Sequence, residues 1–199
     1  MCLTNIIRVV TIISNVKTKE ASEIANPVKE TLMRKMVLSI LVDNTAGVLS
    51  RVSGLFSRRG YNIDSLTVGE TENPQLSRMT VVVNGDDQIL EQLQSQLNKL
   101  EDVVEMTELH SDDSVCRELI LVKVSANDTD RQAVIAVADI FRAKIVDIAK
   151  ESLMIELTGN QAKINAFIKL LDGFKILEIV RTGITGLTRG GAGDIADYI

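Results

Sequence analysis

Between Met36 and Gly183 the spacing of apolar residues switches between strand and helix periods in one order, and then repeats that order. "MVLSILV" (36–42) is apolar and β-rich, after which Val48, Leu49, Val52, Leu55 and Phe56 keep helical spacing until Gly60 stops the helix. "NIDSLTVGE" alternates like a strand, "TENPQ" supplies turn residues, and "LSRMTVVVNG" reads as the next strand. Asp86 is placed to cap a second helix carrying Ile89, Leu90, Leu93, Leu97 and Leu100, and "DVVEMTEL" follows as a fourth strand. The second round opens with "ELILVKVS" and a helix over 129–142, with Ala133, Val137, Ile140 and Phe141 on one face. It continues through "KIVDIAK" and "SLMIELTG", which meet at Glu151, to a helix over 161–171 with Ile164, Phe167, Ile168 and Leu171 on one side, and closes with "KILEIVRTG".

Strand, helix, strand, strand, helix, strand is the ferredoxin-like split arrangement, an antiparallel sheet with helices on one face. A period of roughly 80 residues is too long for a solenoid repeat and suits tandem small domains. The expected fold is therefore α+β, two tandem ferredoxin-like βαββαβ domains over 34–109 and 118–185, joined by a polar linker over 110–117. Residues 186–199 read as a glycine-rich tail whose early part docks. Residues 1–32, ahead of Met33 and Met36, read as a loosely attached extension or an upstream start.

Composition removes several classes of function. A formal charge of −5, a pI near 5.0 and 3% aromatic residues argue against a nucleic-acid surface, which needs clustered cations and stacking rings. Arg8 interrupts the apolar run "NIIRVVTIIS", and no stretch approaches the roughly 20 residues of a membrane span. That run also lacks a basic leader and a clean small-residue cleavage site, so export is not expected. Cys2 and Cys116 are the only cysteines and suggest neither a disulfide framework nor metal-ligand spacing; a reducing cytoplasm is the simple reading.

The strand-to-helix turn "DNTAGVLS" (43–50) is where binding chemistry is most concentrated. The first turn of a helix leaves backbone N–H groups without partners and carries the positive end of the macrodipole, so a carboxylate is at home there. Gly47 permits close approach to the amides of residues 46–49, with Asn44 and Ser50 nearby. The same residues also suit a plain capped loop in which Asn44 or Thr45 satisfies the helix.

Residues 34–83, "RKMVLSILVDNTAGVLSRVSGLFSRRGYNIDSLTVGETENPQLSRMTVVV", resemble the amino-terminal ACT domain of the acetolactate synthase small (regulatory) subunit. The resemblance continues through "LNKLEDVVEMTEL", "RELILVKV", "FRAKIVDI" and "GITGLTRG" and covers nearly the whole chain from Met33; "NTAGVLSRV", "RRGYNIDSLTVG" and "LSRMT" together are specific to that subunit. The resemblance implies a regulator without a catalytic site of its own. Such subunits bind and activate a large catalytic subunit that carries thiamine diphosphate, Mg2+ and FAD, and confer feedback inhibition by valine in branched-chain amino acid synthesis. It also implies a homodimer through paired ACT domains with valine at their interface, and no cofactor or metal on this chain.

The positions matching the valine-site motif are Asn44, Gly47, Val48, Leu49 and Ser50, with Asn62 and Ile63 from "YNID" contributed by the neighbouring chain. In that arrangement the amides of Gly47 to Leu49 would hold the carboxylate, the Asn44 and Asn62 carbonyl oxygens would accept from the ammonium, and Ile63 would wall the isopropyl group. Asn62 equally fits a turn residue after Gly60, and Val48 and Leu49 both fit the core-facing stripe and would act through backbone. The corresponding turn of the second half, "SANDTDRQAV", has no glycine, and its Asp128 and Asp130 would repel a carboxylate, so no valine is expected there.

Other polar residues read as background. His110 and the pair Asp112 and Asp113 sit in the linker, Arg58 and Arg59 end a helix, and Cys116 reads as a small packed residue. Two further classes of function remain open on the residues alone. One is a free-standing amino-acid sensor with another target; the other is a small ferredoxin-like enzyme, for which no convergent acid, base or nucleophile is visible.

Overall fold

The computed structural model describes residues 33–127 and 129–190. The expected extension over 1–32, the end of the tail from 191 to 199 and Asp128 lie outside the described residues. The first half runs β1 (Arg34–Asp43), α1 (Val48–Arg58), β2 (Ile63–Glu70), β3 (Leu76–Gly85), α2 (Asp87–Leu97) and β4 (Val103–Glu108). Its antiparallel sheet has the order β2-β3-β1-β4. The second half runs β5 (Ser114–Ser125), α3 (Arg131–Ile140), β6 (Lys144–Ile148), β7 (Ser152–Gly159), α4 (Gln161–Leu170) and β8 (Ile176–Arg181), with sheet order β6-β7-β5-β8. The two orders are equivalent, and each half is ferredoxin-like.

Period-two alternation places Met36, Leu38, Ile40 and Val42 of β1 on one face with Met79, Val81 and Val83 of β3. Against them pack Val48, Val52, Leu55 and Phe56 of α1 and Leu90, Leu93 and Leu97 of α2, all nearly or fully buried. In the second half Ile120, Val122 and Val124 of β5 and Leu153, Ile155 and Leu157 of β7 meet Ile164 and Phe167 of α4, Leu171 just past it, and Val134 and Ala138 of α3. Phe141 stacks edge-on against Phe167 at 5.4 Å. The helix starts are built alike: Asp86 accepts from the Ile89 amide and Asn160 from the Lys163 amide.

Several expectations change. The buried stripe of α3 is Val134 and Ala138, with Val137 and Phe141 half-buried, whereas Ala133 and Ile140 face outward and Ile140 is 73% exposed. An alanine- and valine-rich helix offers more than one apolar stripe, so periodicity alone does not choose between them. Leu49 also leaves the stripe and is 41% exposed, because each residue turns the helix by about 100° and Leu49 lies at the margin of the face centred on Val48, Val52 and Leu55. The stretch 110–117 is a turn only as far as Asp113; β5 starts at Ser114. Its composition is polar, but those four strand residues find a partner far along the chain.

That partner is β9 (Thr185–Thr188), which pairs Ser114 with Thr188 through to Arg117 with Thr185. β5 is thus a 12-residue strand whose first part belongs to a two-stranded ribbon and whose remainder is central to the second sheet. The approach to the ribbon crosses the helix-free face of the first sheet. There the Ile184 amide donates to Ser65 Oγ (2.9 Å), and Thr67 Oγ1 donates to the Ile184 carbonyl (3.1 Å). This cover explains why Ser39, Thr80 and Val82, on the face away from the helices, are nonetheless buried.

Candidate functional site

The turn 43–50 is held from below by backbone and side chain together. The Asn44 amide donates to the Gln75 carbonyl (2.7 Å), and Asn44 Nδ2 donates to the Pro74 carbonyl (2.9 Å) and Glu70 Oε1 (3.1 Å). Asn44 Oδ1 accepts from Ser77 Oγ (3.0 Å). Asn44 therefore ties the turn to the β2–β3 hairpin, and one lone-pair direction of its oxygen is already taken.

Gly47 is the N-cap of α1, at φ 90° in the left-handed region, and no side chain caps the helix. The Asn44 or Thr45 side-chain cap that the sequence leaves open is not formed. The Val48 amide makes a long bond to the Thr45 carbonyl (3.4 Å), the Arg51 amide bonds the Gly47 carbonyl (2.9 Å), and the Leu49 and Ser50 amides between them have no backbone acceptor among the described residues. Residues 44–47, Leu49 and Ser50 are exposed, so these donors face solvent, while Val48 is anchored in the core. The seat is open, cationic by dipole and free of bulk.

Arg51 adds a charge that sequence reasoning missed. Its Nε and Nη2 form a two-pronged bond to the Asp102 carboxylate, both at 2.6 Å, and a Cβ at position 47 would lie 3.0 Å from Arg51 Nη1. This hydrogen-bonded pairing lowers the Asp102 pKa below the usual carboxylate range and raises that of Arg51. Four-residue helical spacing from Gly47 was the available signal for Arg51; its partner Asp102 comes from the distant loop before β4.

Asn62 and Ile63 lie at the other end of α1, which has 11 residues and is about 16 Å long. Asn62 Nδ2 donates to Asp64 Oδ1 (3.0 Å), leaving its carbonyl oxygen without a partner among the described residues, and the side chain is exposed. Ile63, half-buried, starts β2, whose other end, Glu70, adjoins Asn44. Within one chain the residues named from the sequence thus form two groups, Asn44 to Ser50 and Asn62 with Ile63, at opposite ends of α1. β2 is an edge strand with one side of its backbone unpaired among the described residues, and Val68 on it is 50% exposed.

The second half has no equivalent open turn. Asn127 Oδ1 accepts from the amides of Thr129 (3.0 Å) and Asp130 (2.9 Å), filling the place that the Gly47 turn leaves vacant. Asp130 makes no side-chain cap. His110 is exposed, with Nδ1 3.8 Å from Glu108 Oε1. Among the described residues no group of three or more His, Cys, Asp or Glu could hold a metal ion, and no helix is long and apolar enough to cross a membrane.

Comparison with known proteins decides the family. Residues 38–105 match the model described as the AHAS small subunit-like ACT domain, and residues 117–190 match that of the small subunit of acetolactate synthase. The acetolactate synthase small subunit of Mycolicibacterium smegmatis is 49% identical over 156 residues, 78% of this chain and 92% of that protein. The chain belongs to the acetolactate synthase small-subunit family. The isozyme 3 small subunit of Salmonella typhimurium is 46% identical over 157 residues, covering 78% of this chain and 96% of that one. The crystal structure of the acetolactate synthase small subunit from Thermotoga maritima superposes with a TM-score of 0.73 at 43% identity, over 80% of this chain and 99% of that chain. The two family models fall on the two halves, so both ferredoxin-like units are small-subunit features and the first is the ACT domain.

Proposed function

We propose that this chain is the regulatory subunit of an acetolactate synthase: it binds and activates a larger catalytic subunit and lets valine shut that activity down. Thiamine diphosphate, Mg2+ and FAD, with the chemistry they supply, belong to the catalytic partner in this reading. The observation that carries the valine assignment is the uncapped Gly47 turn, with solvent-facing amides at Leu49 and Ser50 beside the Arg51 charge. A free amino acid brings a carboxylate suited to those donors and an ammonium suited to carbonyl oxygens.

The separation of Gly47 from Asn62 supports a shared site. Two copies joined antiparallel along their free β2 edges would bring the Ile63 end of one strand to the Glu70 end of the other. Asn62 and Ile63 of one copy would then face Asn44, Gly47 and Ser50 of its neighbour, completing the pocket. Regulation follows from linkage: valine favours one arrangement of the ACT pair, the catalytic subunit is more active with the other, and a coupling of about 1–3 kcal/mol suffices. A cytoplasmic setting agrees with Cys116 standing as a free thiol.

The test is acetolactate formation by the catalytic subunit from the same source, with and without this chain, across a valine titration. Activation reversed by valine is expected. Activation without a valine response would overturn the site, and no effect at all would favour a sensor with another target.

A further inference from the structure

A cleft of about 690 Å3 opens where the two halves meet, in the usual size range for small-molecule sites of roughly 300–1,000 Å3. Val37, Leu109 and Ile184 supply the apolar part of its lining. Lys35 comes from β1, Arg117 from the ribbon part of β5, and Arg189 from just beyond β9, so both halves contribute cations.

The carboxylates in the lining are mostly committed elsewhere. Glu118, nearly buried, accepts both prongs of Arg181 (2.7 and 2.8 Å), and Glu108 is bound by Arg34, which Asp87 also contacts. Lys35, Arg117 and Arg189 rest instead on neutral acceptors: Gln161 Oε1 (2.7 Å), the Cys116 carbonyl (2.8 Å) and the Ser114 carbonyl (3.2 Å). Against these three cations, Asp112 is the one carboxylate of the lining without a cationic partner among the described residues, and it accepts from Ser111 Oγ. With Arg34 and Glu108 included, the lining carries four cations against three carboxylates, a net positive charge in a concave site on a chain whose formal charge is −5. Cations gathered this way repel one another, and an anion that spans them removes that cost.

We propose that the cleft binds a small metabolite carrying two negative charges, a dicarboxylate or a phosphate monoester, held between Lys35 of the first half and Arg117 and Arg189 of the second. Arginine's paired donors match either acid. The site is separate from the Gly47 turn and stands independently of the valine reading.

Calorimetric titration of the full chain with succinate and with glycerol 3-phosphate tests it, the tighter probe identifying the class of acid. One molecule per chain is expected to bind saturably, more weakly as salt is raised. Arg117→Gln and Lys35→Gln should each weaken binding about tenfold, since each removes a charge-assisted contact. Both side chains are exposed, so the variants should melt like the parent, and Gly47→Asp should bind the probe unchanged. Saturation by neither probe at millimolar concentration, or parental affinity in both variants, would overturn the proposal.

Discussion

Gly47 joins two physical demands at one residue. At φ 90° any side chain adds strain of about 1–3 kcal/mol, and a Cβ meets the Arg51 guanidinium. Gly47→Ala tests that strain and the Cβ contact together, whereas Gly47→Asp also sets a fixed carboxylate in the anion seat. Gly47→Asp is expected to remove the valine response while activation persists, and Gly47→Ala to raise the valine concentration needed; a normal valine curve for the aspartate variant would sink the assignment. The Arg51–Asp102 pair carries a pH signature. Because the folded pKa of Asp102 is lowered, its stabilisation is fully present above the unfolded value near 4 and is lost as pH falls through the folded value. Melting temperatures of the parent and Asp102→Asn should therefore differ at pH 6 and converge at strongly acid pH. The capping roles of Asp86 and Asn160 act over three residues, and that of Asp86 was legible in sequence. Arg51's partner lies 51 residues away and was not.

At the scale of elements, the free edge of β2 is the most consequential feature. Lysine on an edge strand opposes strand addition by a second copy. Val68→Lys is expected to weaken self-association at least tenfold in sedimentation equilibrium and to reduce valine binding in parallel; lost valine binding with intact dimers would separate the two. Phe167→Ala removes a fully buried ring and its contact with Phe141, for an expected loss of about 3–5 kcal/mol in denaturant unfolding. Strand order and both sheets were readable because period-two and helical stripes alternate without ambiguity in the first half and in α4. The face of α3 was not, since Ala133, Val134, Val137, Ala138 and Ile140 are all apolar and only packing against β5 and β7 selects among them. Likewise β9 is a four-residue strand of Thr, Gly and Leu with no periodic signal, defined by its partner rather than its composition.

Across the whole molecule, linkage requires symmetry of effect: if valine loosens the small subunit's hold on the catalytic subunit by some factor, the catalytic subunit must lower valine affinity by the same factor. Calorimetry of valine binding with and without the partner checks this, and a valine affinity unchanged by the partner while valine still inhibits would mean that valine acts on turnover rather than on binding. The candidate valine site was legible as a list of residues, but its division into two groups at opposite ends of α1 needed the fold, since sequence proximity of Gly47 and Asn62 hides the length of the helix between them. Beyond the short turn that ends at Asp113, one strand runs from the ribbon into the second sheet, and this limits how the duplicated architecture can diverge. Along β5, Ser114, Glu118, Ile120, Val122 and Val124 are buried and Cys116 between them is half-buried, one parity carried from the ribbon into the second core. A flexible tether accepts any change in length. A shared strand keeps its phase only when residues are gained or lost in pairs, since a single insertion near Arg117 would turn one of its two ladders inside out. The length of β5 between its two ladders is thus quantised, and relatives are expected to differ within that strand by even numbers.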